Sequence, residues 1–207
     1  MKKLLIVSQN SLSLHANNGK TLTNIFQKWH KDSLAQLYFQ DEIPESLKFD
    51  NFYRIRDIDL VNKLFNPSKS CLSKPIALKW VDNHYFQRSK FFLSFIRVIK
   101  KTGFLKDLLR EILYKFDFLY INDLKKELSF FKPEAIFFVI SDYTFTIDIA
   151  LKLSKDLKIP FYIYILDDRY MMIKRNSFSL FFNGIYLKKF ERAVKQSAGC
   201  FCIGHSM

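Results

Sequence analysis

Five polar clusters, each following an apolar run, hold the residues of this chain that can do chemistry: Asn17-Asn18-Gly19-Lys20, Gln40-Asp41-Glu42, Ser141-Asp142-Tyr143-Thr144, Asp167-Asp168-Arg169-Tyr170 and Gly204-His205-Ser206-Met207. The first is the most telling. Lys3 to Ser8 reads as a buried strand, Gln9 to Asn17 as a loop, and Asn18-Gly19-Lys20-Thr21 opens an amphipathic segment, Leu22 to Trp29. Strand, loop, glycine, helix is a geometry that aims backbone N–H groups at an anion, so Asn18, Gly19 and Lys20 are expected at a phosphate or diphosphate. The other clusters converge with it if the runs are parallel strands, because ligands bind beyond the carboxyl ends of such strands. Asp142, Tyr143, Asp168, Arg169 and His205 are then cleft residues. Asp142 and Asp168 read equally well as helix N-caps.

The familiar signatures of other chemistries are missing. Gly19-Lys20-Thr21 mimics the end of a P-loop, but that loop needs a glycine five residues earlier, where Leu14 stands. Phe137 to Asp142 and Ile163 to Asp168 resemble strands that end in a magnesium-binding carboxylate, and without that glycine they carry little. No G-x-G-x-x-G occurs. His15, His30, His84 and His205 have no metal spacing and no Ser or Cys elbow beside them. Cys200 and Cys202 fall on one face of a strand and cannot bridge each other, and Cys71 stands alone. All three read as thiols of a reducing compartment. No metal and no cofactor is expected.

The elements that must position these clusters follow from hydrophobic period. Apolar runs recur at Leu34 to Phe39, Asn51 to Ile55, Ala135 to Ile140, Phe161 to Leu166 and Cys200 to Ile203. Most are continuous rather than alternating, as strands buried on both faces are. Helical patterns cover Asp59 to Phe65, Asn122 to Phe131, Thr144 to Leu157 and Ser177 to Gln196, and Pro133 and Pro160 punctuate helix-to-strand turns. The alternation predicts an α/β fold: a Rossmann-like, doubly wound, mostly parallel sheet. Residues 67–117 are too long for one crossover. Pro67 to Tyr85 reads as irregular, and Arg88 to Phe116 as helical with a break at Thr102-Gly103. One face of that stretch is apolar (Leu105, Leu108, Leu109, Ile112, Leu113) and the other basic (Lys106, Arg110, Lys115).

Charge narrows the partners. Lys plus Arg number 33 against 20 Asp plus Glu, a net +13, which favours anionic partners. With 49% hydrophobic and 17% aromatic residues, the 207-residue chain is built for a packed core. The aromatics lie mainly in the apolar runs and no recognition motif appears, so no nucleic acid is expected. The basic helical insertion, residues 88–116, suits an anionic membrane surface, although a face packed on the sheet with a solvated basic side explains it too. Met1-Lys2-Lys3 followed by Leu4 to Val7 is too short for a signal peptide, and no run approaches the ~20 residues that cross a bilayer. The expected location is cytoplasmic, peripheral at the inner face of the membrane.

Lys3 to Ser8, the Asn18-Gly19-Lys20 turn and the strand Leu34-Ala35-Gln36-Leu37-Tyr38-Phe39 together resemble the amino-terminal, acceptor-side domain of a GT-B-fold glycosyltransferase of bacterial surface or capsular polysaccharide synthesis. The final Ala198-Gly199-Cys200-Phe201-Cys202-Ile203-Gly204-His205-Ser206-Met207 resembles the last strand of that domain and the turn after it. The resemblance implies that residues 1–207 are one Rossmann-like domain with 67–117 as an acceptor-side insertion, and that a carboxy-terminal donor-binding domain is absent from this chain. It implies a sugar moved from a nucleotide-diphosphate-sugar donor to a glycan or lipid-linked glycan acceptor. Gly19, flanked by Asn18 and Lys20, would meet the donor diphosphate. Asp142 would orient or deprotonate the acceptor hydroxyl, with Tyr143, Asp168, Arg169 and His205 lining the cleft. The competing reading is a non-enzymatic basic α/β module that binds a membrane surface or a partner subunit, and behind it a degenerate P-loop domain.

Overall fold

A continuous apolar run is stable as a strand only where both of its faces are covered, and the chain meets that demand with one six-stranded sheet. The computed structural model describes residues 2–15, 17–45, 50–73, 75–76, 79–80, 103–165 and 177–202, with the backbone alone at 17–18, 75–76, 79–80, 103–106 and 177–182. The strands of this sheet are β1 (Leu4–Ser8), β2 (Leu34–Tyr38), β3 (Asn51–Arg54), β4 (Ala135–Val139), β5 (Phe161–Ile165) and β6 (Gly199–Cys202). Within this sheet every pairing is parallel, and the order is β3-β2-β1-β4-β5-β6; apart from it, Pro75–Ile76 pairs antiparallel with Lys79–Trp80. The α-helices among the described residues are α1 (Asn17–Ile25), α2 (Asp57–Phe65), α3 (Gly103–Lys115), α4 (Ile121–Phe131), α5 (Thr144–Leu157) and α6 (Ser177–Gln196). This is the Rossmann-like α/β architecture, and each of the six apolar runs is a strand within a residue or two of its expected ends.

Two cores separate across the sheet, as the strand period of two requires. Leu4, Ile6, Leu34, Tyr38, Phe52 and Val139 point to one face and pack with Leu22 of α1 and Phe26 just after it. Leu5, Val7, Leu37, Tyr53, Ile136, Phe138, Phe161 and Ile163 point to the other, under α2, α4 and α5. Phe138 and Phe161 are each almost fully buried, a burial worth about 1.5–3 kcal/mol apiece. Tyr114 from α3 enters the same core, stacked on Phe145 with ring centroids 3.9 Å apart, while Phe39 meets both rings edge-on.

Two expectations need correction. The first helix begins at Asn17 rather than Leu22 and ends at Ile25 rather than Trp29, so Gly19 lies inside it and not in a turn before it. On α3 the expected faces are partly exchanged. Arg110, placed on the solvated basic side, is only 5% exposed, and Ile112, placed on the buried side, is 42% exposed. Arg110 gives its Nε–H to Asp57 at 2.9 Å and an NH2 proton to the Phe39 carbonyl at 2.9 Å. Its guanidinium lies 4.5 Å from the Tyr143 ring centre. An ion pair and an aromatic face make burial of that charge tolerable, which periodicity alone does not foresee. Of residues 88–116, those before Gly103 lie outside the described residues.

Candidate functional site

In the order 3-2-1-4-5-6 the connections from β1 and β4 leave the sheet in opposite directions. That opens a crevice at the carboxyl ends of these two strands. The loops at this point are 9–15, before α1, and 140–143, leading to α5.

The β1–α1 loop is held from β2 and the loop after it. Gln36 stands in the middle of β2 and is fully buried. Its amide donates to Ser8 Oγ at 2.7 Å and to the Asn10 carbonyl at 3.0 Å, and its Oε1 accepts from Leu12 N–H at 3.1 Å. A buried amide with its donors and acceptor used in this way fixes the path of residues 8–12. Two carboxylates then take loop donors that face outward. Glu42 accepts from Asn10 Nδ2 at 3.1 Å, Ser11 N–H at 3.0 Å and Ser11 Oγ at 3.2 Å. Glu45 accepts from Ser13 Oγ at 2.6 Å and Leu14 N–H at 2.9 Å. The Ser13 hydroxyl, with the Leu14 N–H, holds the Glu45 carboxyl below the usual carboxylate range. A loop whose donors bind two carboxylates has the polarity an anionic ligand needs.

Gly19 has a different job from the one its position suggests. A Cβ there would lie 2.4 Å from the Ser11 carbonyl oxygen and 2.7 Å from Ser13 N, both backbone atoms. The close approach that requires glycine is therefore between α1 and its own preceding loop. Thr23 ties the same contact, since its hydroxyl lies 2.9 Å from the Gly19 carbonyl and 3.0 Å from the Ser13 carbonyl. Lys20 is exposed, and Asn18 is placed by its backbone at the start of α1.

The β4–α5 turn is held by two helices. Tyr143 is the N-cap of α5 and supplies no side-chain cap, so neither capping expectation for Asp142 nor a tyrosine hydroxyl closes the helix from that position. Glu111 of α3 does so instead, with Thr144 N–H at 2.6 Å from Oε1 and Thr144 Oγ1 at 2.6 Å from Oε2. Tyr143 OH donates to Asp107 of α3 at 3.2 Å. From α6, Tyr186 OH donates to the Ser141 carbonyl at 3.0 Å, and Lys189 Nζ reaches Thr144 Oγ1 at 2.8 Å and Asp148 at 2.5 Å. Asp142 is exposed at the tip of this turn, and Tyr143 is partly buried beside Arg110. Burial raises the Tyr143 phenol above its ordinary value, against the lowering influence of Arg110.

Asn18, Gly19 and Lys20 thus sit on one side of the β1/β4 crevice, and Asp142 and Tyr143 on the other. Asp168, Arg169 and His205 lie outside the described residues. Sequence reasoning missed Gln36, Arg110, Glu111 and Lys189. Only Gln36 left a local signal, a glutamine inside an otherwise apolar run. Among the described residues no group of three His, Cys, Asp or Glu side chains is placed to hold a metal ion. A cavity of about 470 Å³ lies at the opposite edge of the sheet, between Lys3, Asp32, Asn51, Tyr53, Glu127 and the two phenylalanines Phe130 and Phe131, away from these loops. No helix among the described residues is long and apolar enough to cross a membrane. Comparison with protein-family models, with curated protein sequences and with solved structures finds no match to this chain.

Proposed function

We propose that this chain is the acceptor-side, Rossmann-like half of a GT-B glycosyltransferase, which moves a sugar from a nucleotide-diphosphate-sugar donor to a glycan or lipid-linked acceptor. The observation that carries this reading is the β1–α1 loop at the switch point of a 3-2-1-4-5-6 parallel sheet, with its donors turned toward carboxylates and the start of α1 beside them. Departure of the sugar leaves negative charge on the diphosphate, which N–H groups and the α1 dipole near Asn18, Gly19 and Lys20 would stabilise. Asp142, across the crevice, would orient or deprotonate the acceptor hydroxyl. The role proposed for Gly19 changes accordingly: it sets α1 tightly on its loop and so fixes the donors, rather than making room for the ligand itself. The test is equilibrium binding of nucleoside diphosphates and their sugar conjugates to the chain. Saturable binding that prefers the diphosphate group over unrelated polyanions supports the reading, and the same weak affinity for every polyanion removes it.

A non-enzymatic module that docks on an anionic membrane is favoured by one observation. Leu64, Phe65, Ile112, Phe116 and Phe118, at 42–65% exposure, stand out from α2, α3 and the turn after α3. Cosedimentation with liposomes decides it. Binding that rises with anionic lipid supports docking, and equal partition into neutral and anionic vesicles counts against it.

A further inference from the structure

The N-terminus of α5 is closed by a carboxylate from another element. Helix N-termini carry unsatisfied N–H groups and a positive dipole end, and the usual partner is an oxygen from the residue just before the helix. Here that residue is Tyr143, which supplies none. Glu111 of α3 takes the place, bonded to both the N–H and the hydroxyl of Thr144 at 2.6 Å. Lys189 faces the same hydroxyl at 2.8 Å, adding positive charge where the carboxylate sits. Three side chains within five positions of α3 converge on two residues of the turn: Asp107 and Arg110 on Tyr143, and Glu111 on Thr144.

We propose that Glu111 is a positioning residue, a cap supplied from α3 that holds the turn bearing Asp142 and Tyr143 at the carboxyl end of β4. A helix that only covered the sheet would need apolar contact alone. With Glu111 as the cap, the Ser141 hydroxyl meets Thr146 Oγ1 at 2.8 Å and accepts from the Tyr143 N–H at 3.3 Å, and Asp142 between them is exposed. The setting of Asp142 then follows the position of α3. The use of Asp142 on an acceptor hydroxyl rests on the proposed transferase, and the clamp does not.

Amide hydrogen exchange on the whole chain tests this, for wild type, Glu111→Ala and Glu111→Gln, in sodium formate and in sodium chloride of equal ionic strength. In Glu111→Ala, protection at Thr144, Phe145 and Thr146 falls about tenfold while β1 and β2 are unchanged. Formate, a small carboxylate, restores that protection and chloride does not. Glu111→Gln, which keeps one acceptor, falls between. Unchanged protection at the turn, a loss spread evenly over the domain, or a loss that formate leaves in place would each overturn the proposal. If Glu111→Ala does not fold, Glu111→Gln carries the test alone: a loss confined to the turn supports the clamp, and no loss overturns it. Titration of the same variants with a nucleoside diphosphate separates the two claims. Absence of nucleotide binding in every variant removes the transferase reading and leaves the clamp result intact.

Discussion

The two loops that face each other across the crevice are anchored in opposite ways. The β1–α1 loop is pinned from below by the fully buried Gln36, while its outer donors are covered by Glu45, on the surface, and by Glu42. The β4–α5 turn is gripped from the side by α3 and α6, with the bonded Thr144 and Ser141 buried. The first anchor is local to one half of the sheet and leaves its outer surface exchangeable: a carboxylate in water-exposed contact gives way to a competing anion at small cost. The second depends on helices 33 and 45 residues away in sequence and is hard to loosen without moving one of them. An exchangeable anion cover on one side and a fixed turn on the other suit the diphosphate donor and the acceptor of the proposed transferase.

The largest expected effect breaks the first anchor. Gly19→Val would drive a branched side chain into the Ser11 carbonyl and Ser13 N, neither of which can rotate aside. A loss of about 3 kcal/mol in urea unfolding is expected, and Gly19→Ala should still lose about 1 kcal/mol despite its better helix propensity. A stable Gly19→Val with unchanged loop amides would show that α1 does not seat on this loop. Next comes Gln36→Leu, which leaves the Leu12 N–H without a partner and leaves Ser8 Oγ and the Asn10 carbonyl only their bond to each other. About 2–3 kcal/mol should be lost, with exchange faster at Leu12.

Glu45 sharpens the contrast through pH. Its carboxyl titrates below the ordinary value because the folded loop stabilises the anion. A depressed folded value means that the contact is fully present above the unfolded carboxylate range and is lost as pH falls through the folded value. The Leu14 amide should therefore shift and exchange faster on acidification below the usual glutamate range, with no such change in Glu45→Gln. The smallest effect lies outside both loops. Lys158, at the end of α5, has φ 54°, a left-handed conformation that costs a lysine about 1 kcal/mol, so Lys158→Gly should stabilise by roughly 0.5–1 kcal/mol in thermal unfolding.

The contrast also explains what could be read from residues alone. The six strands and the spans of α4, α5 and α6 follow from period and punctuation, because local hydrophobic pattern decides which segments are buried on one face or two. The start of α1 escapes that pattern because Asn17 to Thr21 has no apolar stripe, and Gly19 there lies against the backbone of Ser11 and Ser13. Arg110 escapes it for the same physical reason: its charge is paired with Asp57, 53 residues earlier. The same holds for the clamp, where Glu111 and Lys189 meet only at Thr144. Side-chain pairings across the fold leave no periodic trace in one sequence, whereas the strand-end clusters that line the crevice do.

The most direct test of the proposed function is a map of amide shifts on titrating the chain with a nucleoside diphosphate. The account predicts saturable shifts confined to residues 10–20 and to Glu42 and Glu45, which the entering diphosphate displaces, with Glu45→Gln binding more tightly. Saturable binding that leaves these amides still and moves residues elsewhere would contradict it.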